Sequence, residues 1–556
     1  MRRRTSNLVV LCVAALVAAL FAVVPLASSR VKEAQPLAPG LLAHLSQGAV
    51  GRYQLSHSEA REERPATGLT TRSGAGSSAA NEALTRDLFN HDQLGLPQDE
   101  ETVSACRKNP RYVVGGTNDY RGLLDPEQNF TGWYFSADGG RTVSKEGLLP
   151  SLTLNGEQIP SGGDPVVQNE DSCTFYFGSL NYTNPTEAEP FFGGRNSIAL
   201  YKSDPATLSS CQGGSEPDKL TTPGCWQGIL VAHEALNAAG AGHFLDKVWL
   251  DVGHSGSAGK VVWVVWSDFV EDPTAPLGFT SASIKTARCK ADLSSCTNPI
   301  LISGTQADIQ FADVTIARSG RVLITWAEIH GELEQTRQTF TIHARVAEPG
   351  STTFGPDHVV AEEANPLPFG GHLHAADIRT ATYPKSIMPR VGNHDRIYVT
   401  WDRCRFFIDA LDACEEPEIL LAHSDDLGAT WSKPQPISVG GDNFFPAISD
   451  EVGNPKFVIG YYTTRRDFFH HRYDVELVTV SSGSGKVTRR QIVTPTPNEP
   501  DADPTLGGAF IGDYFDVDLL GSRVWVHYNA NYRRLAVLGE GVPVAQQDNF
   551  LSIRHP

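Results

Sequence analysis

The segment Gly370-Gly371-His372-Leu373-His374 places two imidazoles one residue apart, ahead of Tyr383 and Arg390. A histidine and a tyrosine can act as base and acid, while an arginine can neutralise a uronate carboxylate. These are the groups that a polysaccharide lyase needs, so His372, His374 and Tyr383 are candidate substrate-binding residues. Alternate residues of a strand face the same way, which would also suit the two histidines as metal ligands. A third interpretation is that both are loop histidines with no special role.

Short apolar segments that would position these side chains recur along most of the chain. Each repeat opens with a first strand and continues with a second strand rich in β-branched and aromatic residues, which favours a buried β-strand. The predicted first strands are Glu101–Cys106, Asp164–Gln168, Asp246–Val252, Phe311–Ala317, Ile387–Gly392, Phe444–Asp450 and Gly512–Leu519. The predicted second strands are Tyr112–Thr117, Thr174–Leu180, Val261–Trp266, Val322–Trp326, Ile397–Trp401, Phe457–Tyr462 and Val524–Tyr528.

Two related octapeptides, Ser136–Val143 and Ser424–Trp431, each follow an apolar run. In both, an aspartate can accept backbone N–H bonds across a turn, and a glycine supplies a φ that a side chain would resist. We therefore expect a hairpin turn at each octapeptide. The residues that define the two turns are Ser136, Asp138, Gly140, Ser424, Asp426, Gly428 and Trp431.

The octapeptides resemble the Asp box, or BNR repeat, of the sialidase (neuraminidase) superfamily of β-propellers. The resemblance implies an all-β fold of four-stranded antiparallel blades, with the box closing the turn between the third and fourth strands, away from the substrate face. Seven repeats predict seven blades, and six blades are the alternative because sialidases have six. The last repeat ends one strand short, so an N-terminal strand would complete it and remove the exposed edges.

In such a propeller, the loops before the first strands and after the second strands meet on one face. Second strands run out onto polar residues there, including Asp268 and Asp402, which are further candidate substrate-binding residues. Such a ring could hold a sugar, bind a cation such as calcium, or satisfy loop backbones. The full ring is Asp119, Asn181, Asp268, Glu328, Asp402, Thr463 and Asn529.

The resemblance also implies which chemistry to look for. Sialidase-like hydrolysis requires an arginine cluster for the substrate carboxylate, a tyrosine nucleophile beside a carboxylate, and an acid/base aspartate. The family's Arg-Ile-Pro signature is missing, and Met388-Pro389-Arg390 differs from it in order. The catalytic candidates on the expected face are Arg121, Arg390, Arg465, Tyr514, Asp513, Asp246 and Asp164.

Composition and the chain start indicate an exported protein. A net charge of −18 over 556 residues argues against general affinity for nucleic acid. Residues 1–30 read as a signal peptide, with Arg2-Arg3-Arg4 before an apolar run, and a retained anchor is the alternative. Residues 31–98 are expected to form a largely disordered leader, and 99–556 the propeller.

Cysteine usage agrees with export, because loss of Cys12 with the signal leaves an even number of cysteines. Closeness along the chain favours three local disulfides and leaves a fourth pair to join two repeats. No Cys-x-x-Cys zinc pattern occurs, and no metal ligand is assigned. The favoured pairs are Cys106–Cys173, Cys211–Cys225, Cys289–Cys296 and Cys404–Cys414.

These observations favour a secreted, monomeric, sialidase-like propeller that hydrolyses glycans from a chain end, with no stable membrane insertion after signal cleavage. A non-catalytic propeller that binds carbohydrate or protein is the second hypothesis, and a polysaccharide lyase the third. No cofactor is assigned beyond the open possibility of a calcium ion.

Overall fold

The computed structural model describes residues 84–556 except 170–171, 184–193, 217–218, 222, 238–239, 273, 276–277, 307, 332–337, 368–371, 377, 410, 412, 504 and 507–509. The predicted signal peptide, Cys12 and residues 31–83 of the predicted leader lie outside the described residues. Within the described part, no helix is long and apolar enough to cross a bilayer.

The protein is a seven-bladed β-propeller, as the sequence predicted, with four-stranded antiparallel blades. Blade 1 contains β1 (Gln98–Ala105), β2 (Val113–Asp119), β3 (Thr131–Ser136) and β4 (Lys145–Leu148). A hairpin of β5 (Leu152–Leu154) and β6 (Glu157–Ile159) leads to blade 2, which contains β7 (Ser161–Asn169), β8 (Phe175–Tyr182), β9 (Arg195–Ser203) and β10 (Gln227–Ala235). Blade 3 contains β11 (Gly242–His254), β12 (Lys260–Glu271), β13 (Phe279–Lys290) and β14 (Ile300–Leu301). Blade 4 contains β15 (Ile309–Ile316), β16 (Val322–His330), β17 (Thr339–Ala347) and β18 (His358–Ala364).

Blade 5 carries additional small sheets. Its chain order is β19 (His372–Leu373), β20 (Lys385–Ile387), β21 (Arg390–Val391), β22 (His394–Asp395), β23 (Ile397–Arg403), β24 (Phe406–Ile408), β25 (Ala413–Glu415), β26 (Glu418–Ser424) and β27 (Gln435–Pro436). The blade itself is β20-β23-β26-β27, while β19-β25-β24 and β21-β22 form the two accessory sheets. The predicted first strand here, Ile387–Gly392, is displaced because residues 390–391 belong to the accessory hairpin.

The last two blades complete the circle. Blade 6 contains β28 (Asn443–Asp450), β29 (Lys456–Thr463), β30 (Asp474–Ser481) and β31 (Val487–Ile492). Blade 7 contains β32 (Asp516–Leu520), β33 (Arg523–Leu535) and β34 (Val544–Arg554). The first strands of consecutive blades contact one another from β1 through β7, β11, β15, β20, β28 and β32, and β32 contacts β1. The helices in the described residues are α1 (Pro205–Ser210) and 3-10 turns at Tyr120–Leu124, Gly256–Ala258 and Val537–Gly539.

An N-terminal segment supplies the missing outer strand of blade 7. Leu88 bridges Phe550 in antiparallel fashion, the Phe89 amide donates to the Asn549 carbonyl at 3.0 Å, and the Leu551 amide donates to the Asp87 carbonyl at 2.8 Å. The first residues of the propeller thus pair with its last strand. Residues 84–98, assigned from sequence to the leader, are part of the folded propeller.

The core lies between the blades, because both faces of each blade are covered by neighbours. Consecutive residues of β12 from Val261 to Trp266 are almost fully buried, which explains why the second strands are continuous apolar runs rather than alternating ones. In the described part of the chain, four disulfides join the pairs expected from sequence: Cys106–Cys173, Cys211–Cys225, Cys289–Cys296 and Cys404–Cys414. Cys106–Cys173 links blades 1 and 2.

Both octapeptides lie between the third and fourth strands of their blades and share one hydrogen-bond scheme. In blade 5, Ser424 Oγ donates to Asp426 Oδ1 at 2.9 Å, and the Gly428 amide donates to Ser424 Oγ at 2.8 Å. Thr430 donates its amide and hydroxyl to Asp426 at 2.8 and 2.6 Å. The blade 1 turn repeats these bonds with Ser136, Asp138, Gly140 and Thr142. Gly140 and Gly428 have φ of 88° and 96°, which only glycine adopts readily. Trp431 packs half-buried against the core beside the second turn.

Candidate functional site

The first strands of five blades are interrupted by a β-bulge at the same level. The pairing of each with its second strand shifts there, and a non-glycine residue within each shift has a positive φ. A positive φ costs conformational free energy in residues with bulky side chains. A β-bulge changes the direction of nearby side chains and often occurs beside an active site. The five residues are Glu100 (59°), Asp164 (52°), Lys247 (57°), Phe311 (60°) and Phe445 (52°).

Blades 5 and 7 contribute to the same level from the segments just before their first strands. The Tyr383 ring lies between Phe311, at a centroid distance of 4.2 Å, and Phe445, at 5.8 Å. The first strands lie innermost, so these side chains surround the propeller axis. We call the following set the axial cluster: Glu100, Asp164, Lys247, Phe311, Tyr383, Phe445, Asp513 and Tyr514.

Asp513 is the electrostatic centre of the axial cluster. Its Oδ2 accepts from Arg379 Nη2 at 2.7 Å and from Lys247 Nζ at 3.1 Å. The side chains of Asp513, Lys247 and Arg379 are only 1%, 4% and 11% exposed. Two buried cations thus share one buried carboxylate, whose second oxygen has no hydrogen-bond partner among the described residues.

Glu100 lies beside Asp513 in a contrasting environment. Burial, reinforced by the negative charges of Asp513 and Asp99, raises the pKa of Glu100 well above its ordinary value. Its carboxyl accepts from Asn118 Nδ2 at 2.7 Å, and the Asp513 amide donates to its other oxygen at 3.4 Å. A carboxyl whose pKa is raised therefore lies next to Asp513, whose side chain contacts two cations.

Asn118 links this pair to the next blade. Besides Glu100, its amide nitrogen donates to Asp99 Oδ1 at 3.1 Å, and its oxygen accepts from the Asp164 amide at 3.0 Å. Asn118 thereby fixes the left-handed residues of blades 1 and 2 relative to each other. It is completely buried, so these bonds are screened little by water.

A narrow cavity adjoins the cluster. The centre of a water molecule can occupy about 20 Å³ of it, which is room for one or two waters. Lys385 Nζ lies 2.9 Å from the centroid of the Trp249 ring in its wall, and burial lowers the pKa of Lys385 to about 8. Tyr383, also in the wall, has a hydroxyl with no hydrogen-bond partner among the described residues.

Tyr514 is held firmly in this wall. Its hydroxyl donates to the Pro165 carbonyl at 2.9 Å, and its ring meets Trp249 edge-on at 5.5 Å. Burial, with nearby carboxylates, raises the pKa of Tyr514 well above its ordinary value. In this geometry the hydroxyl is a donor to backbone rather than an activated nucleophile.

The three candidate arginines are engaged in different blades. Arg121 is fully buried in blade 1, where it contacts Asp119 at 2.6 Å and Glu146 at 2.7 Å. Arg465 pairs with Glu476 in blade 6 at 2.6 Å, and Arg390 is an exposed residue of the hairpin β21–β22. None of their described contacts involves Tyr514 or Asp513, so the structure does not assemble the predicted arginine clamp there.

The aspartate candidates divide between the cluster and its support. Asp164 is a member of the cluster, and Asp246 is close enough for its charge to act on Arg379. Asp402 accepts from the amides of Tyr383 at 3.0 Å and Phe445 at 2.8 Å, so it holds two cluster residues from behind. Burial raises the pKa of Asp402 to about 7.

Asp268 instead contacts His243 at 2.8 Å and also Lys285 within blade 3. Other polar residues at the ends of second strands also form hydrogen bonds to neighbouring groups. Asn181 donates to the Ile159 carbonyl, and Asn529 accepts from the Tyr473 hydroxyl. These bonds match the interpretation in which strand-end polar groups satisfy neighbouring loops and side chains.

The histidine pair lies on the accessory sheet of blade 5. Gly370, Gly371 and the side chain of His372 lie outside what the structure describes, and the backbone of His372 pairs with Ala413. His374 is 43% exposed and lies 3.9 Å from Glu415. Tyr383, by contrast, is buried at the axis.

Sequence reasoning missed Glu100, Lys247, Arg379 and Phe311. A signal for the axial level was present in the dipeptides Asp164-Pro165, Tyr383-Pro384 and Phe445-Pro446. A proline cannot donate to a sheet ladder, so a repeated X-Pro at the start of inner strands indicates bulges or strand starts.

No protein-family model matches the sequence, and no curated protein matches it significantly. Among solved structures, the chain is similar to an α-L-arabinofuranosidase of Fusarium graminearum in complex with arabinobiose, with a TM-score of 0.41, 12% identity and coverage of 71% of this chain and 97% of that one. A Hadza microbial sialidase gives a TM-score of 0.37 at 11% identity over 78% and 75% of the two chains. An ulvan lyase bound to a GlcA-Rha3S saccharide gives 0.39 at 7% identity over 84% and 95%. Similarity at this level concerns the fold alone.

Proposed function

We propose that the protein is a secreted, glycan-directed β-propeller and that the axial cluster hydrolyses glycosidic bonds, with Glu100 as general acid and Asp513 as its carboxylate partner. The observation that carries the proposal is the contrast between these two neighbouring groups. Burial and neighbouring carboxylates raise the pKa of Glu100, whereas Asp513 contacts the cations of Lys247 and Arg379 at 3.1 and 2.7 Å. Glycoside hydrolysis uses two carboxyl groups whose environments differ in this way.

In this reaction Glu100 would protonate the leaving-group oxygen while Asp513 stabilises positive charge at the anomeric carbon or activates water. Arg379 and Lys247 would hold the Asp513 side chain in position until the substrate arrives. Tyr383, which lines the cavity and whose hydroxyl has no hydrogen-bond partner among the described residues, would donate a hydrogen bond to a sugar oxygen. Strain at the five positive-φ positions is of the kind found where side chains are fixed for function.

The small size of the cavity limits the direction from which a glycan could reach the axial cluster. Room for one or two waters does not admit a sugar ring. A glycan would therefore contact the cluster from the side on which Arg379 remains 11% exposed and lies over the Phe510 ring at 5.7 Å. On this proposal, the reacting end of the glycan would lie at the axis, as cleavage at a chain end requires.

The experiment is a screen of the secreted protein on a panel of neutral, sialylated and uronate-containing glycans, with release of reducing ends as readout. Glu100→Gln and Asp513→Asn should each lower the rate at least ~100-fold, because each removes a proton-transfer or charge-stabilising group. Glu101→Gln is the matched control, since Glu101 is an equally buried carboxyl on the same strand outside the axial cluster. Equal activity in all variants would refute the assignment.

A non-catalytic glycan- or protein-binding propeller is the second candidate. It is favoured by the engaged state of the candidate groups, since Tyr514 donates to backbone and Asp513 is already paired. Binding of a glycan without product, unaltered by Glu100→Gln, would support this function over hydrolysis.

Two narrower reactions from the sequence stay proposals. Exo-sialidase activity predicts release of sialic acid from a fluorogenic sialoside that is lost in Tyr514→Phe. Lyase activity with His372 or His374 predicts unsaturated uronic acid products, detected by their ultraviolet absorbance and lost in Tyr383→Phe. Secretion predicts that the N-terminal sequence of the exported protein begins near residue 31.

A further inference from the structure

Among the described residues, a histidine and two carboxylates meet away from the axial cluster, between the loop 464–473 of blade 6 and the segment that leads from blade 6 to blade 7. His471, Glu499 and Asp501 bring one imidazole nitrogen and two carboxylate oxygens within 4.8 Å of one another. His471 Nε2 lies 3.4 Å from Glu499 Oε2 and 3.4 Å from Asp501 Oδ1. We propose that these three residues bind a divalent transition-metal ion of the zinc type.

The spacing fits the ion. Zinc is commonly tetrahedral with ligands at about 2.1 Å, so two of its ligand atoms lie about 3.4 Å apart. Both separations from His471 Nε2 equal this value. Three protein ligands and one water would complete the coordination, as in zinc sites that keep an open position.

The other imidazole nitrogen is already oriented as in metal sites. His471 Nδ1 lies 3.1 Å from the Ala375 carbonyl oxygen. If Nδ1 carries the proton and donates it there, Nε2 keeps its lone pair towards the two carboxylates. Metal-ligating histidines nearly always donate their second ring N–H in this way.

The backbone on both sides of the cluster is fixed. The amides of His471 and Arg472 donate to Asp467 Oδ2 at 3.0 and 2.9 Å. Tyr473 and Asn498, next to the ligands in sequence, form an antiparallel bridge with bonds of 3.1 and 2.7 Å. The two loops therefore hold the ligands at a set distance before an ion arrives, which lowers the entropic cost of binding.

The donor set selects the metal class. Calcium and magnesium take oxygen ligands, whereas an imidazole suits zinc and its neighbours. Arg472 pairs with Glu499 through Oε1, which leaves Oε2 directed at the proposed ion.

The test is calorimetric titration of the chelator-treated full-length protein with zinc chloride at pH 7.5. We expect one high-affinity site per chain that His471→Gln and Asp501→Asn each weaken ~10- to 100-fold. His233→Gln is the matched control, because His233 is an exposed histidine of blade 2. Circular dichroism confirms that each variant is folded.

Two outcomes would overturn the proposal. One is that the wild type binds no zinc, or that His471→Gln or Asp501→Asn binds zinc as tightly as the wild type. The other is tighter binding of calcium chloride than of zinc chloride at the same residues, which would remove His471 as a ligand.

Discussion

Replacing Asp513 by asparagine should destabilise the propeller strongly while leaving its shape intact. The substitution removes the carboxylate that Lys247 and Arg379 both contact, at 3.1 and 2.7 Å, in a site where all three side chains are at most 11% exposed. Breaking a buried ion pair by removing one partner costs about 3–5 kcal/mol. Two cations share this carboxylate, so we expect a loss of at least ~3 kcal/mol in the free energy of unfolding.

A double-mutant cycle separates this electrostatic effect from lost packing. Lys247→Met should destabilise the wild type, because Asp513 then keeps one cation instead of two. In the Asp513→Asn background the same change should be neutral or stabilising, because it removes one of two buried cations that repel each other. The coupling energy should therefore be favourable and in the range of about 0.5–3 kcal/mol found for contacting residues.

The assay is urea unfolding followed by tryptophan fluorescence, with free energies compared at fixed pH. Asp425→Asn serves as control, since Asp425 pairs with Arg396 but is 46% exposed, and an exposed pair is worth at most about 1 kcal/mol. A loss below ~0.5 kcal/mol for Asp513→Asn, or additive effects in the cycle, would refute the reasoning.

Two further predictions concern stability. Burial alone raises the pKa of Glu271 from 4.5 to about 8. Between these two pH values the folded chain keeps a proton on Glu271 that the unfolded chain has released. The stability that comes with the protonated side chain is therefore fully present below pH 4.5 and is lost as the pH rises through 8. The free energy of unfolding of Glu271→Gln should therefore equal that of the wild type at pH 4.5 and exceed it by up to about 4 kcal/mol near pH 8. Urea unfolding at the two pH values measures this difference. A difference of the same size at both pH values would contradict the argument. Among the disulfides, removing Cys106–Cys173, with a separation of 67 residues, should cost about 4 kcal/mol, against about 2 kcal/mol for Cys289–Cys296 with a separation of 7. Serine double variants compared by urea unfolding test this order, and a larger loss from the shorter loop would contradict the chain-entropy argument.

Much of the fold was predictable because each blade buries both faces of its second strand. Runs such as Val261–Trp266 are apolar at every position. Each blade contains one such run, so the number of runs in the sequence predicts the number of blades. Closure was predictable from a last repeat that lacks a strand. The first strand of blade 5 was misplaced because Pro389 interrupts the apolar run after Ile387. A proline lacks the N–H that a ladder needs.

The site was predictable only where its residues adjoin strands. Asp164, Asp513 and Tyr514 were named because they begin predicted inner strands, whereas Tyr383 was named as a possible acid beside the histidine pair; the structure gathers all four at the axis. Their partners were missed because the pairing is long-range: Lys247 lies 266 residues from Asp513, and Arg379 lies 134 residues away. No local pattern of charge or hydropathy predicts contacts between residues so far apart in the sequence.

The distribution of residues around the axis argues for a function. The first-strand bulges of blades 1 to 3 place the ionisable residues Glu100, Asp164 and Lys247 at the axis, whereas those of blades 4 and 6 place the rings of Phe311 and Phe445 there. Blade 5 adds Tyr383, and blade 7 adds Asp513 and Tyr514. Buried charges cost free energy that well-packed apolar residues would not. A ring that served only to fill the axis would be at least as stable with apolar residues in every blade. The ionisable members of the cluster come from blades 1, 2, 3 and 7, which are consecutive around the circle, and this asymmetry supports the proposal of a site that acts on one bound substrate.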